Sequence, residues 1–568
     1  MFVFNPTIMK IMKSIRYILF ISGVLTLASC ADYLEKFPLD NPSDETFLRT
    51  EAELDMAVTG AYNTLRYGGS GDVSGPFFPM LEAASDLGWD RNTSALQVLG
   101  MGAANVDNGW ASSFWSSFYR GIGRCNYILS KAEALAAVVP QAKYKQYIAE
   151  ARFLRAYYYS LLNEGFGGVP LVTTPLTLAE AQLPRNTKTE VTDFILSELT
   201  AIQNDLLAET NTTNKGRASK GAALALKSRV ALYAARWDVA ASAADELIKM
   251  GNYSLHTSYP ELFKYAGQNS REIILSVQYQ KGFAVHSIPR FNGSRMALGH
   301  SNKIPVQPLI DAYECTDGFT IDKSPLFNVA KPFQNRDPRL GYTIVLPQTR
   351  FEKYIFETHP DSLMTWDLSV TPARRVQNGE ATHAYATFSG YLWRKYTDDL
   401  DYPDINNSDL NIILFRYAEV LLNYAEAKIE AGQIDQTVYD AINAVRGRAT
   451  VNMPPITPGK SQAELRSAVR KERKYEFAGE GLRLFDVRRW GIGEETMNGP
   501  LLGRVRNAFL TDAPVINENG TPNYANVRNK GDMRVIEIRT FRNNRDNVWP
   551  IPRLETEVNT KLEQNPNY

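Results

Sequence analysis

Three groups of residues in this chain have the types and spacing to do chemistry. Trp89 stands with Asp86, Arg91 and Asn92 in a Gly-rich, loop-like stretch over residues 68–108. A sugar is held in water by flat apolar faces that stack on its C–H groups and by hydrogen-bonding side chains that converge on it, and this cluster supplies both. Tyr67, just past a helix end, and Trp366, in a loop-rich region, are candidate neighbours. The alternative for each aromatic is that it anchors its own loop. The second group is two carboxylate pairs, Glu476 with Glu480 and Glu419 with Glu426. Glycoside hydrolysis needs two carboxyl groups facing each other across a sugar, about 5–9 Å apart. Pairs on one helix face point the same way, and here arginines crowd them, so structural ion pairs are the simpler reading. The third group is Asp399, Asp401, Asp404, Asn406 and Asp409, which crowd one loop with the hard oxygens that suit a structural Ca²⁺. The spacing lacks the Gly and terminal Glu of a calcium loop, which favours a solvated acidic loop. The histidines (His256, His286, His300, His359, His383) are scattered without zinc spacing, and no phosphate-binding Walker sequence or nucleophile elbow is present. No cofactor is expected.

The carboxylates lie in the segment around which the chain is organised, Arg470 to Trp490. Read as one helix, it stacks Glu472, Glu476 and Glu480 in a column, with Arg473, Arg483, Arg488 and Arg489 near enough to neutralise them. Tyr475, Phe477, Leu482, Leu484 and Phe485 make its other sides apolar, so it needs a large body around it. The chain has the length for one: 568 residues, enough for several core-sized units or one large helical assembly. Its 62 basic and 62 acidic residues balance, which argues against a nucleic-acid partner, since phosphate binding needs a basic excess.

The N-terminus reads as an export leader over residues 1–29. Lys10, Lys13 and Arg16 precede an apolar run over residues 17–27, too short to span a bilayer. It ends Leu27-Ala28-Ser29-Cys30, which resembles a bacterial lipobox with Cys30 as the lipidated residue; the alternative is ordinary cleavage and a disulfide cysteine. Acyl chains on Cys30 would anchor the mature chain to a membrane it does not cross. Translation can start at Met1, Met9 or Met12. Removing the leader costs three positive charges and no negative ones, leaving the mature chain mildly acidic. Cys125 and Cys315 are expected to be buried free thiols, with a bridge between them as the alternative.

Helical periodicity places helices over residues 51–66, capped by Ser43 or Asp44, and over 110–128, 144–163, 191–207, 222–233 and 239–250. Alanines at 222, 223, 225, 231, 234, 240, 241, 243 and 244 let helix axes approach closely, the packing style of tetratricopeptide-like hairpins. The fold class expected is therefore mainly α, with tetratricopeptide-like hairpins forming an α-superhelical body. Residues 251–410 carry short strand-like runs, at 272–277 and 342–346, separated by Gly, Pro, Asn and Asp, and read as a loop-rich insertion with small sheets. Helix returns at Asn411, with Leu414, Tyr417, Leu421 and Tyr424 on one face and Glu419, Asn423, Glu426 and Glu430 on the opposite one. Residues 438–448 pair with it. The regions are thus 1–29, 30–250, 251–410 and 411–568. Trp110, Trp115, Trp237, Trp490 and Trp549 sit in periodic or scaffold segments and are read as core.

Several segments together carry a family likeness: the Cys30 lipobox; Ala151-Arg152-Phe153-Leu154-Arg155-Ala156-Tyr157 with Phe166-Gly167-Gly168-Val169-Pro170-Leu171; Arg336-Asp337-Pro338-Arg339-Leu340; Arg416-Tyr417-Ala418-Glu419-Val420-Leu421-Leu422-Asn423-Tyr424-Ala425-Glu426-Ala427; Val445-Arg446-Gly447-Arg448-Ala449; Glu472-Arg473-Lys474-Tyr475-Glu476-Phe477; and Trp549-Pro550-Ile551-Pro552. In these the chain resembles the RagB/SusD family of nutrient-binding outer-membrane lipoproteins over nearly all its mature length. The resemblance implies a lipid-anchored helical protein on the cell exterior that sits as a lid over a SusC-like TonB-dependent transporter and hands it glycans, or in some branches peptides. It implies no catalysis and places ligand contacts on variable loops, so it leaves the ligand open. A glycoside hydrolase and a helical adaptor that binds only its protein partner remain the alternatives from other classes.

Overall fold

The computed structural model describes residues 47–67, 77–92, 94–209 and 214–568. The leader, Cys30 and the segment 31–44 lie outside the described residues. Ten helices of seven or more residues carry the body among the described residues. They are α1 (Glu51–Tyr62), α2 (Gly109–Ser130), α3 (Gln141–Phe166), α4 (Lys188–Ile202), α5 (Lys220–Tyr233), α6 (Trp237–Met250), α7 (Tyr417–Glu430), α8 (Gln436–Arg446), α9 (Gln462–Phe477) and α10 (Arg483–Arg489).

Local sequence sets their starts. Thr50, Thr187 and Ser461 each cap a helix while Glu53, Glu190 or Glu464, three residues on, reaches back to the cap's N–H. Thr50 thus begins α1, and Ser43 and Asp44 lie outside the described residues. Glycines with left-handed backbone, Gly167 and Gly251, end α3 and α6.

The helices pack as neighbours in sequence: α2 on α3, α3 on α4, α5 on α6, α6 on α7, and α7 on α8 and α9. Ala222, Ala223 and Ala225 of α5 and Ala240 and Ala244 of α6 are buried, and the two helices pack on each other. Charged residues fasten the hairpins together. Arg155 Nη2 lies 2.6 Å from Glu198, joining α3 to α4, and Arg229 lies 2.6 Å from Glu419, joining α5 to α7. The body is therefore the mainly α, tetratricopeptide-like fold expected. Trp110, Trp115 and Trp549 are buried in it, while Trp237 and Trp490 pack half-buried against its surface. Cys125 and Cys315 are buried free thiols.

The sheets are small. Residues Thr349–Phe351, Tyr354–Phe356, Met364–Asp367 and Arg374–Gln377 form a four-stranded antiparallel meander. Two-stranded ribbons pair Gly88–Asp90 with Lys303–Pro305 and Gly499–Val505 with Met533–Arg539. A further ribbon pairs Ile412–Arg416 with Ile273–Val277, which corrects the expectation of helix from Asn411. All five residues of Ile412–Arg416 are buried, and a β-branched and aromatic run buried on both faces is satisfied better as a strand.

α7 departs from the two-faced pattern as well. Glu419, Asn423 and Glu426 face the interior, not water. Glu426 takes Arg489 at 2.7 Å and the Trp490 indole N–H at 2.7 Å, and Asn423 accepts from Arg473 at 2.7 Å. The polar side was legible; its burial was not, because the partners come from α5, α9 and α10.

The organising segment is also bent. α9 ends at Phe477, and Gly479 and Gly481 turn the chain with left-handed backbone before α10 begins. A Cβ on Gly481 would lie 1.9 Å from the Phe78 carbonyl oxygen. The column of three carboxylates is therefore two, Glu472 and Glu476, with Glu480 carried on the turn. The family-like segments meet here. Glu476 receives Arg416 at 2.7 Å, Arg448 at 2.8 Å and Arg339 at 3.0 Å, all buried. Arg416 continues to Glu480 at 2.8 Å and Glu272 at 2.9 Å, and Arg339 and Arg446 hold Glu472 at 2.5 and 2.8 Å. Burial alone would raise the Glu476 carboxyl, but Arg448, Arg416 and Arg339 outweigh it and hold it well below the ordinary carboxylate range. A carboxylate held ionised and 0% exposed neither donates a proton nor meets a substrate. The network is scaffold that locks four distant stretches of chain to α9.

Candidate functional site

The structure scatters the residues that sequence reasoning grouped around Trp89. Asp86 is buried and accepts both nitrogens of Arg483 at 2.8 Å. Tyr67 is buried between Trp110, Phe114 and Phe118, with ring centroids 6.0, 5.8 and 5.3 Å away. Trp89 is 5% exposed and lies in the strand Gly88–Asp90, not an open loop. Its indole N–H donates to Glu537 at 2.8 Å, across 448 residues of sequence. Asn92 is half-buried and closes a turn on Asp90 through its own N–H. Trp89 and Asp86 belong to the core because the strands and helix that cover them come from residues 303–305, 533–539 and 483–489, while Tyr67 is covered by α2.

Arg91 is half-buried, and Trp366 faces outward. The Arg91 side chain donates to the backbone oxygens of His300, at 2.9 Å, and Tyr385. Trp366, 42% exposed, lies on the meander opposite Arg375, whose guanidinium sits 5.2 Å from its ring centre.

Arg91 leads to the loop that follows the meander. Residues 383–390 run across the face of the Gly499–Val505 strand. Arg504 clamps them there: its N–H donates to Ser389 O at 2.9 Å and its Nη1 to Thr358 Oγ1 at 3.1 Å. Gly503 permits the approach, since a Cβ at that position would lie 2.8 Å from Ser389 Cα. Phe388 stacks on Trp89 with centroids 5.5 Å apart, and the Arg534 guanidinium lies 3.9 Å from the Phe388 ring centre. Arg91 lies 5.4 Å from the ring centre of Tyr385, which is 60% exposed. Between this loop and the Gly499–Val505 ribbon opens a cavity of about 270 Å³, lined by Thr358, Glu380, His383, Phe388, Arg506 and Arg534 among others. Trp89 is thus the buried support of a half-exposed ring. Sequence reasoning missed Tyr385, Phe388, Arg506 and Arg534. The two-residue spacing of Arg504 and Arg506 is a strand signal, but nothing in it tells which loop the strand carries.

Below the loop lie two buried carboxyls. Glu380 accepts from Ser294 Oγ at 2.8 Å and Arg295 N–H at 2.5 Å, and Glu352 accepts from Ser294 N–H at 2.8 Å. Burial, with repulsion from Glu380 and Asp399 against the weaker pull of Arg394, pushes Glu352 up to about 8 from 4.5. A carboxyl raised on folding contributes its full stability below its unfolded value and loses it as pH rises through the folded one. The thermal midpoint is therefore expected to fall between pH 4.5 and pH 8, and Glu352→Gln to flatten that fall and leave the variant the more stable form at the upper end. Melting curves across that window check it; a variant parallel to the parent would contradict the assignment.

A second cavity, about 300 Å³, is lined by Lys264, Arg350, Arg394, Asp398 and Asp399. Arg350 and Asp399 pair at 3.2 Å, and it has no exposed aromatic ring. The acidic loop beside it is occupied by protein donors. Asp401 accepts from Tyr265 at 2.7 Å and Ser408 at 2.9 Å, and Asp404 takes the Asn407 amide. No cluster of His, Cys, Asp or Glu with metal-holding geometry occurs among the described residues.

A family model described as the SusD family matches residues 271–568, more than half of the chain. The chain belongs to the SusD family. A second model, described as starch-binding and associating with the outer membrane, matches residues 32–232 of this SusD-family chain. A SusD-like protein of Formosa agariphila is 26% identical over 519 residues, covering 85% of this chain and 90% of the relative. The crystal structure of a SusD-like carbohydrate binding protein from Bacteroides fragilis superposes with a TM-score of 0.77 at 29% identity, covering 91% of this chain and 99% of that one. A surface glycan-binding protein A from Bacteroides fluxus shares the fold with a TM-score of 0.67 at 23% identity, over 92% of this chain and all of that one. No helix among the described residues is long and apolar enough to cross a membrane.

Proposed function

We propose that this SusD-family protein captures an oligo- or polysaccharide at the face formed by Tyr385, Phe388 and the neighbouring meander with Trp366, and passes it to a SusC-like TonB-dependent transporter. It binds and delivers without breaking a bond. The observation that carries this reading is the likeness, over almost the whole of both chains, to a structure described as carbohydrate binding. The site's geometry agrees: the exposed rings of Tyr385 and Trp366, and Phe388 at the edge of an open cavity, stand with side-chain donors that suit a ligand presenting C–H faces and hydroxyls. Cys30, by its place behind Leu27-Ala28-Ser29, would carry the lipid that holds the protein at the outer face of the outer membrane. The paired carboxylates support the non-catalytic reading, since each is consumed by arginines inside the scaffold.

Calorimetry and affinity electrophoresis of the mature protein against a glycan panel test this. Tyr385→Ala and Trp366→Ala are each expected to weaken the bound glycan by about tenfold, the scale of one lost stacking contact, with the melting temperature unchanged. Both variants binding like the parent would remove the site from this face. Sugar release by the purified protein, or affinity for peptides and for no glycan, would overturn the function itself. Labelling with a fatty-acid analogue should mark the parent and not Cys30→Ala.

A further inference from the structure

The chain as a whole is neutral, with 62 basic and 62 acidic residues, yet the capture face is not. Five arginines surround the 383–390 loop: Arg91, Arg295, Arg504, Arg506 and Arg534. The hydrogen bonds their side chains make go to neutral oxygens. Arg91 donates to His300 O, Ser301 O and Tyr385 O, Arg295 to Tyr385 O, and Arg504 to Val505 O and Thr358 Oγ1. Arg534 rests on the Phe388 ring. This contrasts with the α9 network, where Arg339, Arg416, Arg446 and Arg448 each meet carboxylates within 3.0 Å.

The arginines repel one another. Burial, then Arg295, brings the Arg91 guanidinium down to about 10, and burial, then Arg506, lowers Arg534. Burial also lowers His300, which faces Arg290, Arg295, Arg91 and Lys303. Glu380, the carboxyl in the cavity lining, partly offsets Arg91 and Arg295, but it is 4% exposed, engaged by Ser294 and the Arg295 N–H, and raised by its burial. Arg504 itself is only 7% exposed while lining the cavity. Arg504, Arg506 and Arg534 line the open cavity with no carboxylate bonded to any of them among the described residues, which leaves their charge available to an anion that arrives from outside. Guanidinium groups match carboxylate and sulfate oxygens with paired hydrogen bonds.

We infer that the cavity beside Phe388 takes an anionic group of the ligand, a uronic-acid carboxylate or a sulfate ester, against Arg506 and Arg534, so that the glycan captured is an acidic one. This rests on the glycan-capture reading and names its substrate class. Arg506, exposed on the cavity rim, and half-buried Arg534 make the direct contacts. Arg504 holds the floor, and Arg91 and Arg295 extend the positive field along the loop.

The test compares the mature protein on three probes: a neutral glucan, polygalacturonate and chondroitin sulfate. Polygalacturonate, chondroitin sulfate or both are expected to bind, at least about tenfold more tightly than the glucan. Their binding should weaken by about tenfold between about 50 mM and 500 mM NaCl. Arg506→Ala with Arg534→Ala should remove at least about tenfold of acidic-glycan affinity. Arg506→Ala alone, at an exposed position, should still weaken it should the double variant fold poorly. Chondroitin sulfate carries a uronic carboxylate as well as a sulfate ester, so binding of polygalacturonate marks a carboxylate site, and binding of chondroitin sulfate without polygalacturonate marks a need for sulfate. Binding of the neutral glucan alone, or acidic binding indifferent to salt and to both variants, overturns this inference and leaves glycan capture standing. Binding of an acidic peptide and of no glycan overturns both.

Discussion

Glu476→Gln is expected to cost about 3–5 kcal/mol, the largest effect of any isosteric change in this protein. Glutamine fits the space but carries no charge, and Arg339, Arg416 and Arg448 would then share a buried site with one fewer anion. The price of burying three guanidiniums without compensation exceeds that of a lost surface pair several-fold. The guanidinium-chloride midpoint at neutral pH measures it, and the pH dependence identifies the cause. Glu476 is depressed on folding, so its contribution is complete above about 4.5 and is lost as pH falls through its folded value. The gap between parent and variant should therefore narrow in acid. A variant as stable as the parent would falsify the scaffold role and reopen the question of what this carboxylate does.

Asp86→Ala is expected to rank second, at about 3–5 kcal/mol. Asp86 accepts a two-pronged bond from Arg483 at 2.8 Å, and Lys474 lies 4.0 Å away, both cations buried. Burial pushes the Asp86 carboxyl up, but Arg483 and Lys474 prevail and hold it below its ordinary value. Burial, then repulsion from Arg483, already brings Lys474 down to about 7. Removing the aspartate leaves Arg483 charged and unpaired and makes Lys474 easier to deprotonate. The readouts are melting temperature and glycan affinity of the fraction that remains folded. A scaffold role predicts a much lower melting temperature with affinity retained. The reverse, stable protein that no longer binds, would put Asp86 back in the ligand site where its sequence context suggests it.

Asp86 and Trp89 mark the limit of sequence reading. Their neighbours, Gly and polar residues over 68–108, have the composition of a loop, and loops carry ligand contacts more often than not. The short strand Gly88–Asp90 escapes any periodicity test, since three residues hold too little pattern. Its burial is imposed by Lys303–Pro305 and by Glu537, hundreds of residues away. Trp366 fared differently because alternation along its own strand sets which side faces out.

By itself, the sequence determined the mainly α architecture, the hairpins and the family. Helical periodicity, capping boxes and close-packing alanines are local, acting between residues a few positions apart, and the family's segments lie in order along the chain. It also pointed to Glu476 and its neighbours as structural, but through the wrong partners: Arg473, Arg483 and Arg489 pair with Asp486, Asp86 and Glu426, and Glu476 is held by Arg339, Arg416 and Arg448 from outside the segment. Only the tertiary structure decided where Arg339, Arg416 and Arg448 converge, that α9 breaks before Glu480, and that Phe388, Arg506 and Arg534 share one cavity. Charge pairing and cavity shape depend on distance in space between segments far apart in the chain, and no local spacing rule carries that information.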